Sequence, residues 1–574
     1  MDTPSPARAA MPRLWPAVCI LAAQAFTLGI QFVPSINDGT RFIFMMAGPL
    51  GCTLLFLIWI LALSRLPWRE RVGAPLLAIA LGAAAGFLAD KSMAVALWIY
   101  GAPLSLVAIV LGVRLRREAA SGARFVAVAA LLLLVWSAML LFRLEGFRGN
   151  YLPELAWRWT ATTESQRASG DANVVPSAVD AAWTPKTIEW PGFRGGDRNG
   201  VSVASGTDLD WSSKPKELWR VPVGPGWSSF SQVGGRLFTQ EQRGEQEAVT
   251  CLDAATGKTI WRTGFPCRFE DNVSGAGPRA TPTYADGKLY TLGGKAIFAC
   301  LDAATGKVLW QHDLMKEVNA QLPVWGFTAS PLILAQRAIV YAGGDGENGL
   351  MAFDAATGAV SWRYSSHGMN FSSAQKVTFA GQDFVLFVDG GGVHALHPET
   401  GAVMWEFKPS TWKGPAICQA QQIDATSLLV PLGDGVGLAR LAVSQEAGKW
   451  KVEERWLSKK FKPSFNDFVY FDGHCYGFDN NAFACIDAAT GELKWKYSGY
   501  GFGQVVLLAD AKKLAVTTEK GDAALVAADP SERRELGRVH LIEGKTWNHP
   551  IAVDGRFIMR NGAEAVAVAL SSKL

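Results

Sequence analysis

One phrase recurs along the second half of this chain and dictates what it can fold into. Cys251-Leu-Asp-Ala-Ala-Thr-Gly-Lys-Thr-Ile-Trp261 returns as Cys300–Trp310, Ala352–Trp362, Ala395–Trp405 and Cys485–Trp495, each time with Gly four positions before Trp. With a degenerate copy at Trp456, the tryptophans at 261, 310, 362, 405, 456 and 495 follow one another in steps of 39 to 52 residues. Such a period is the mark of a solenoid or propeller. The phrase reads as a strand, then an Asp-x-x-Thr-Gly turn whose Gly adopts a left-handed conformation, then a short strand ending on Trp. Two further β-like runs stand upstream, such as Ala280–Ala285 and Lys288–Leu292 before Trp310. Four antiparallel strands per repeat make a propeller blade, and the 3.6-residue periodicity of a helical repeat is absent.

Counting fourth strands at Trp219, Trp261, Trp310, Trp362, Trp405, Trp456 and Trp495, with a worn copy at Glu535–Leu541, predicts eight blades. Pro550–Leu570 supplies three strands without a fourth, and Glu217–Val221 a fourth without the other three. Pairing them closes the ring and removes the free sheet edges that invite aggregation. Each repeated Trp is expected to dock between neighbouring blades.

The first 142 residues are of another kind. Leu14–Val33, Phe42–Leu63, Val72–Ala89, Met93–Val113 and Phe125–Phe142 are uncharged apolar runs of the length a helix needs to cross a bilayer, about 17 to 25 residues. Arg8 and Arg13 precede the first, Arg65, Arg69 and Arg71 separate the second and third, and Arg114, Arg116, Arg117 and Arg124 separate the fourth and fifth. The alternate loops hold only Arg41 and Lys91. The positive-inside rule then predicts a cytoplasmic N-terminus and a propeller outside the cytoplasm; in a bacterium that is an inner-membrane protein with a periplasmic propeller. Ala23-Gln24-Ala25 resembles a signal-peptide cleavage site, but the apolar run continues to Val33. The expected architecture is an all-α bundle of five transmembrane helices over 1–142, an interfacial segment and linker over 143–189, and an all-β eight-bladed propeller over 190–574. Trp157 and Trp159 suit an interfacial belt, and Thr160–Ser177 reads as a tether.

Several classes are excluded. The net charge of +4 arises from 55 basic and 51 acidic residues spread along the chain, which leaves no footprint for nucleic acid. The eight cysteines form no C-x-x-C, C-x-x-C-H or adjacent pair, so zinc-finger, thioredoxin-like and c-type haem sites are not expected. Cys251, Cys300 and Cys485 hold equivalent small apolar positions of three repeats. No two histidines stand in H-x-x-x-H or H-E-x-x-H spacing, so a zinc site is not expected. Gly343-Gly-Asp-Gly346 reads as a strand turn, with no helix after it to cradle phosphate.

The Asp-Ala-Ala-Thr-Gly-x-x-x-Trp phrase resembles the tryptophan-docking motif of the quinoprotein, or pyrroloquinoline quinone (PQQ), repeat superfamily. That superfamily includes PQQ-dependent dehydrogenases and a non-catalytic propeller lipoprotein of the outer-membrane β-barrel assembly machinery. The chain is similar in particular to bacterial PQQ-binding-like β-propeller repeat proteins, through Trp190-Pro-Gly-Phe-Arg194 with Asp197-Arg-Asn-Gly200, Gly224-Pro-Gly-Trp-Ser-Ser-Phe230, Thr239-Gln-Glu-Gln-Arg-Gly244, Gly277-Pro-Arg-Ala-Thr-Pro282, Phe465-Asn-Asp-Phe468 and Lys545-Thr-Trp-Asn-His-Pro550. A five-span anchor before an external propeller also resembles membrane-bound quinoprotein glucose dehydrogenase, although this chain lacks the adjacent cysteine pair of many alcohol-oxidising members.

In a propeller the loops between blades, and those between second and third strands, open on one face. Glu241, Arg243, Arg268, Glu270, Arg279, Trp325, Lys462, Asn466, Asp467, Trp547, Asn548 and His549 fall in those loops. A mouth of basic and aromatic side chains suits a planar anion such as PQQ. In that reading Arg243, Arg268 and Arg279 pair with its carboxylates, Trp227, Trp325 or Trp547 stacks on its ring, and His549 completes the pocket. Glu270 and Asn466 ligate Ca²⁺, and Asp467 is the base. Two functions follow. One is a membrane-anchored module that binds periplasmic proteins or a small anionic ligand, or scaffolds an assembly. The other is a PQQ- and Ca²⁺-dependent oxidoreductase that oxidises alcohols or sugars and reduces membrane quinone.

Overall fold

The computed structural model describes residues 12–571 except 34, 35, 37, 150, 163, 166–172, 204–208, 210, 212, 213, 272, 413–416, 434 and 435. Arg8 and much of the expected tether lie outside the described residues. The chain divides into two compact units, residues 1–160 and 161–574.

The first unit has five helices long and apolar enough to cross a membrane: Trp15–Phe32, Thr40–Leu63, Trp68–Leu88, Lys91–Leu115 and Ser121–Met139. Contacts between helix ends show how they alternate. Arg13 N–H donates to Ser64 O and Trp59 Nε1 to Arg13 O, both at 3.0 Å, so the first helix begins where the second ends. The third and fifth begin side by side, because Arg124 grips Glu70 with two hydrogen bonds of 3.0 and 3.1 Å. Leu144 N–H donates to Ser92 Oγ (3.0 Å) and Arg158 Nη1 to Leu88 O (2.8 Å), which joins the chain after the fifth helix to the end of the third. The chain therefore enters and leaves this bundle at opposite ends.

Several boundaries differ from the sequence reading: the second helix begins at Thr40 and takes in Arg41, and the fourth runs Lys91–Leu115 and takes in Lys91 and Arg114. The third and fifth helices begin before the uncharged runs and take in Glu70 and Arg124, a charge pair tolerated because each neutralises the other. The fifth helix stops at Met139, and Phe142–Phe147 pairs with Pro153–Trp157 as a hairpin, Phe142 stacking on Trp157 at 4.7 Å.

The second unit is an eight-bladed propeller. Blades 1 to 7 occupy residues 231–266, 283–313, 332–364, 375–407, 421–458, 469–497 and 505–540. Blade 8 takes three strands from 551–569 and its fourth from Glu217–Pro222, with Ala567 opposite Trp219, so the ring closes as the sequence predicts.

The repeated phrase works as a joint between blades. Trp261 Nε1 donates to Ala303 O of the next blade's turn (3.2 Å), and Trp219, Trp310, Trp362, Trp456 and Trp495 do the same to Ala254, Ala355, Pro398, Ala488 and Asp529. At every one of these joints except that of Trp495, whose turn has no glycine, the ring lies against the Gly of that turn. At Gly306, with φ +72°, a Cβ would stand 2.5 Å from the Trp261 ring, so both the backbone conformation and the close approach require glycine. Each joint removes roughly 150–250 Å² of aromatic surface from water, on the order of 4–6 kcal/mol as an upper bound. Trp405 departs from the pattern. The strands of blade 5 run on to a hairpin at Ala447-Gly448 with no such turn, and the buried Trp405 Nε1 has no acceptor among the described residues. Cys251, Cys300 and Cys485 are fully buried opposite Trp261, Trp310 and Trp495, as small apolar fillers.

Candidate functional site

The first strands of the blades line the axis of a propeller, and here the axis is filled. Residues 190–202 touch six blades. Trp190 bridges Gln232 of blade 1, and Pro191 O accepts from Tyr284 N of blade 2 at 2.7 Å. Arg198 donates to Ser330 O (3.1 Å) and Pro331 O before blade 3, and to Ala374 O (2.8 Å) before blade 4. Arg194 reaches Phe468 O before blade 6. Val201–Ser202 adds a parallel fifth strand to blade 7. The segment quoted above for its resemblance is thus a plug.

The charges of the plug are buried and handled in two ways. Arg198 meets only backbone carbonyls among the described residues, and burial lowers it to about 10, so it remains a cation at neutral pH. Arg194 faces Asp467 at 3.4 Å. Burial alone would raise Asp467, but the Arg194 charge, His549 Nε2 at 3.1 Å and the Gln419 N–H at 2.6 Å outweigh it and hold the carboxyl below its usual range. Burial lowers His549 despite its carboxylate partner, which favours the neutral ring. Phe193 packs edge-on to His549 at 4.7 Å, so the plug forms the floor of the mouth.

Above that floor the interblade loops place an aromatic row. Phe502 stacks on Phe465 (5.3 Å), Phe465 meets Trp547 (5.0 Å), and Trp547 meets Trp227 (5.1 Å), linking the loops before blades 7, 6, 8 and 1. Lys545 Nζ lies 4.7 Å over Trp547 and 5.5 Å over Trp227. Farther round, Trp325 packs on Phe371 at 4.8 Å, and Leu322, Val324, Trp325 and Met369 are exposed.

The structure brings together Asp467 with His549, and Trp227 with Trp547. The three arginines expected to meet one ligand are instead held apart by carboxylates of the protein. Arg243 donates to Glu241 at 3.1 and 3.2 Å, alongside Arg262 at 3.1 Å. Arg268 pairs with Glu164 and Glu270. Arg279, buried, pairs with Asp271 at 2.8 Å and also binds Ser274 Oγ and Gly275 O. Sequence reasoning located these charges but missed their partners, because Glu164 and Asp271 carried no motif. Glu270 sits exposed in its ion pair with Arg268, whereas Asn466 is buried and donates to Gly503 O. Lys462 is spent on Asp479 at 3.2 Å, and Asn548 donates to Gly226 O and Ser228 O. These side chains do not assemble the expected PQQ and Ca²⁺ site: Arg243, Arg268 and Arg279 are each paired with a carboxylate, Glu270 is engaged by Arg268, Asn466 Oδ1 is buried without a hydrogen-bond partner among the described residues, and Asp467 is held in an ion pair with Arg194.

Residues 245–497 match the family model described as outer membrane protein assembly factor BamB. The propeller is made of PQQ-like repeats. Its sequence is 25% identical over 355 residues to the outer membrane protein assembly factor BamB of Burkholderia pseudomallei, a match covering 58% of this chain and 84% of that protein. Among solved structures, BamB from Moraxella catarrhalis aligns at 15% identity over 62% of this chain and 99% of its own, with a TM-score of 0.45. Quinohemoprotein alcohol dehydrogenase from Comamonas testosteroni aligns at 14% identity over 72% of this chain and 85% of its own, with a TM-score of 0.48.

Proposed function

We propose that the protein is a membrane-anchored scaffold whose propeller binds other proteins at its mouth, on the side of the membrane opposite the arginine-rich loops. The reading rests chiefly on the composition of the mouth. Its floor is plugged, its arginines are matched to internal carboxylates, and what it offers to solvent is the half-buried Phe465, Trp547 and Trp227 and the exposed Leu322, Val324, Trp325 and Met369. Rigid aromatic and apolar side chains on a fixed rim are what a protein partner uses for anchorage, whereas a small anion needs unsatisfied donors. The sequence similarity to BamB proteins agrees with a protein-binding role. The arginine distribution supports cytoplasmic loops after the second and fourth helices, and the chain's entry and exit at opposite ends of the bundle support a propeller on the other side of the membrane.

A photocrosslinking amino acid at Val324, introduced into the full-length protein in cells, is expected to give a discrete protein adduct, and one at Val403 on the outer strand of blade 4 is expected to give none. Purified full-length protein with PQQ and Ca²⁺ should show no dye reduction with alcohols or sugars. Equal crosslinking at the two positions, or PQQ-dependent turnover, would overturn the reading.

A further inference from the structure

Blade 4 carries a side-chain cluster that the mouth does not use. Asp389 ends the second strand, His394 lies in the third, and His367 belongs to the loop that enters from blade 3. Their nitrogen and oxygen atoms all lie within 4.8 Å of one another. His394 Nε2 is 2.9 Å from Asp389 Oδ1, His367 Nδ1 is 3.7 Å from Asp389 Oδ2, and the two imidazoles lie nearly parallel with centres 5.6 Å apart. We propose that His367, Asp389 and His394 form a binding site for one divalent transition-metal ion, zinc above all.

Four observations carry this. The donor set, two imidazoles and one carboxylate with room beside them, is that of open zinc sites, where three protein ligands leave a position for water. The ligands are oriented from behind. His394 Nδ1 faces Tyr364 Oη at 2.9 Å and Glu406 Oε2 at 3.4 Å, acceptors for its proton when Nε2 turns from Asp389 to a metal. Asp389 receives the N–H groups of His367 and Gly391, both at 2.7 Å, so its carboxylate is aimed by the backbone. The turn after it is glycine where space is needed: a Cβ at Gly391 would come 2.8 Å from the His367 ring, and one at Gly390 2.0 Å from His367 O.

Accessibility is graded in the way a loading site requires. The Asp389 side chain is fully buried, that of His394 is 4% exposed, and that of His367 is 58% exposed. Ligand atoms on one tetrahedral zinc stand about 3.4 Å apart, given metal–ligand bonds of about 2.0–2.1 Å. His367, on the open side, has to close by up to about 1.4 Å, and the 2.9 Å contact of His394 with Asp389 opens slightly.

Untagged full-length protein in detergent, stripped with EDTA, is titrated with Zn²⁺ by calorimetry and with Co²⁺ by absorption. A single saturable equivalent is expected, with a nitrogen and oxygen ligand spectrum and no thiolate charge-transfer band, and zinc should raise Tm. His367→Ala should weaken binding at least tenfold and abolish the zinc-dependent rise while leaving Tm in EDTA unchanged. Asp389→Asn should abolish binding. Absence of saturable zinc binding, a thiolate band, or wild-type affinity in His367→Ala would overturn the proposal.

Discussion

The outer joints and the axial plug both fasten blades together with buried polar contacts, yet they do so in opposite styles. A joint is local and repeated: one Trp, one turn carbonyl and one Gly from the adjacent blade. The plug is global and unrepeated, one short segment whose arginines span blades far apart in sequence. Arg198 alone bridges the starts of blades 3 and 4. Redundancy makes any single joint expendable to the ring, whereas the plug concentrates several contacts in two guanidinium groups. The contrast predicts unequal sensitivity.

The largest loss should follow Arg194→Met, which leaves Asp467 buried without its cation. Breaking a buried pair from one side costs about 3–5 kcal/mol, and limited proteolysis of the full-length protein should show loosening of the loops before blades 6 and 8. Adding Asp467→Asn should recover much of that loss, and failure to recover it would separate the plug's stability from this ion pair. Next comes Gly306→Ala, where a left-handed residue must also displace the Trp261 ring. We expect about 1–2 kcal/mol from the backbone alone, with a further penalty from the contact, read as a lowered thermal midpoint. The smallest effect should separate two tryptophans. Trp456→Phe loses a hydrogen bond to Ala488 O, worth about 0.5–1.5 kcal/mol, in addition to packing. Trp405→Phe removes an indole N–H that has no acceptor among the described residues and should cost less. Equal losses would mean that the joint is packing alone.

The same contrast explains what could be read from the amino-acid sequence. The joint is legible because Asp-x-x-Thr-Gly and Trp are tied by a mechanism that acts within a few dozen residues and is copied around the ring. Ring closure was legible for a related reason, as three strands at one end needed the one left over at the other. The bundle was legible in its helices but not in their ends, where the Glu70–Arg124 pair lets helix extend past the uncharged runs. At the mouth, sequence could place Arg268 and Arg279 in loops, but Glu241 and Arg243 belong to the strand Arg236–Arg243, and the partner Glu164 of Arg268 is contributed from before the first blade, beyond any local pattern. The plug was visible only as a motif, because its acceptors are main-chain carbonyls that no side-chain pattern announces. His367, Asp389 and His394 escaped for a similar reason: they come from two blades and share no fixed interval.

Pairing of Glu217–Pro222 with Glu564–Ala569 has a bearing on biogenesis. The earliest strand of the ring is translated more than three hundred residues before its mate, so throughout synthesis it waits with an uncovered edge, a situation that slows folding and exposes the nascent chain to misassembly. Emergence of the strand Glu564–Ala569, not the completion of any earlier blade, is the event that lets this circle snap shut.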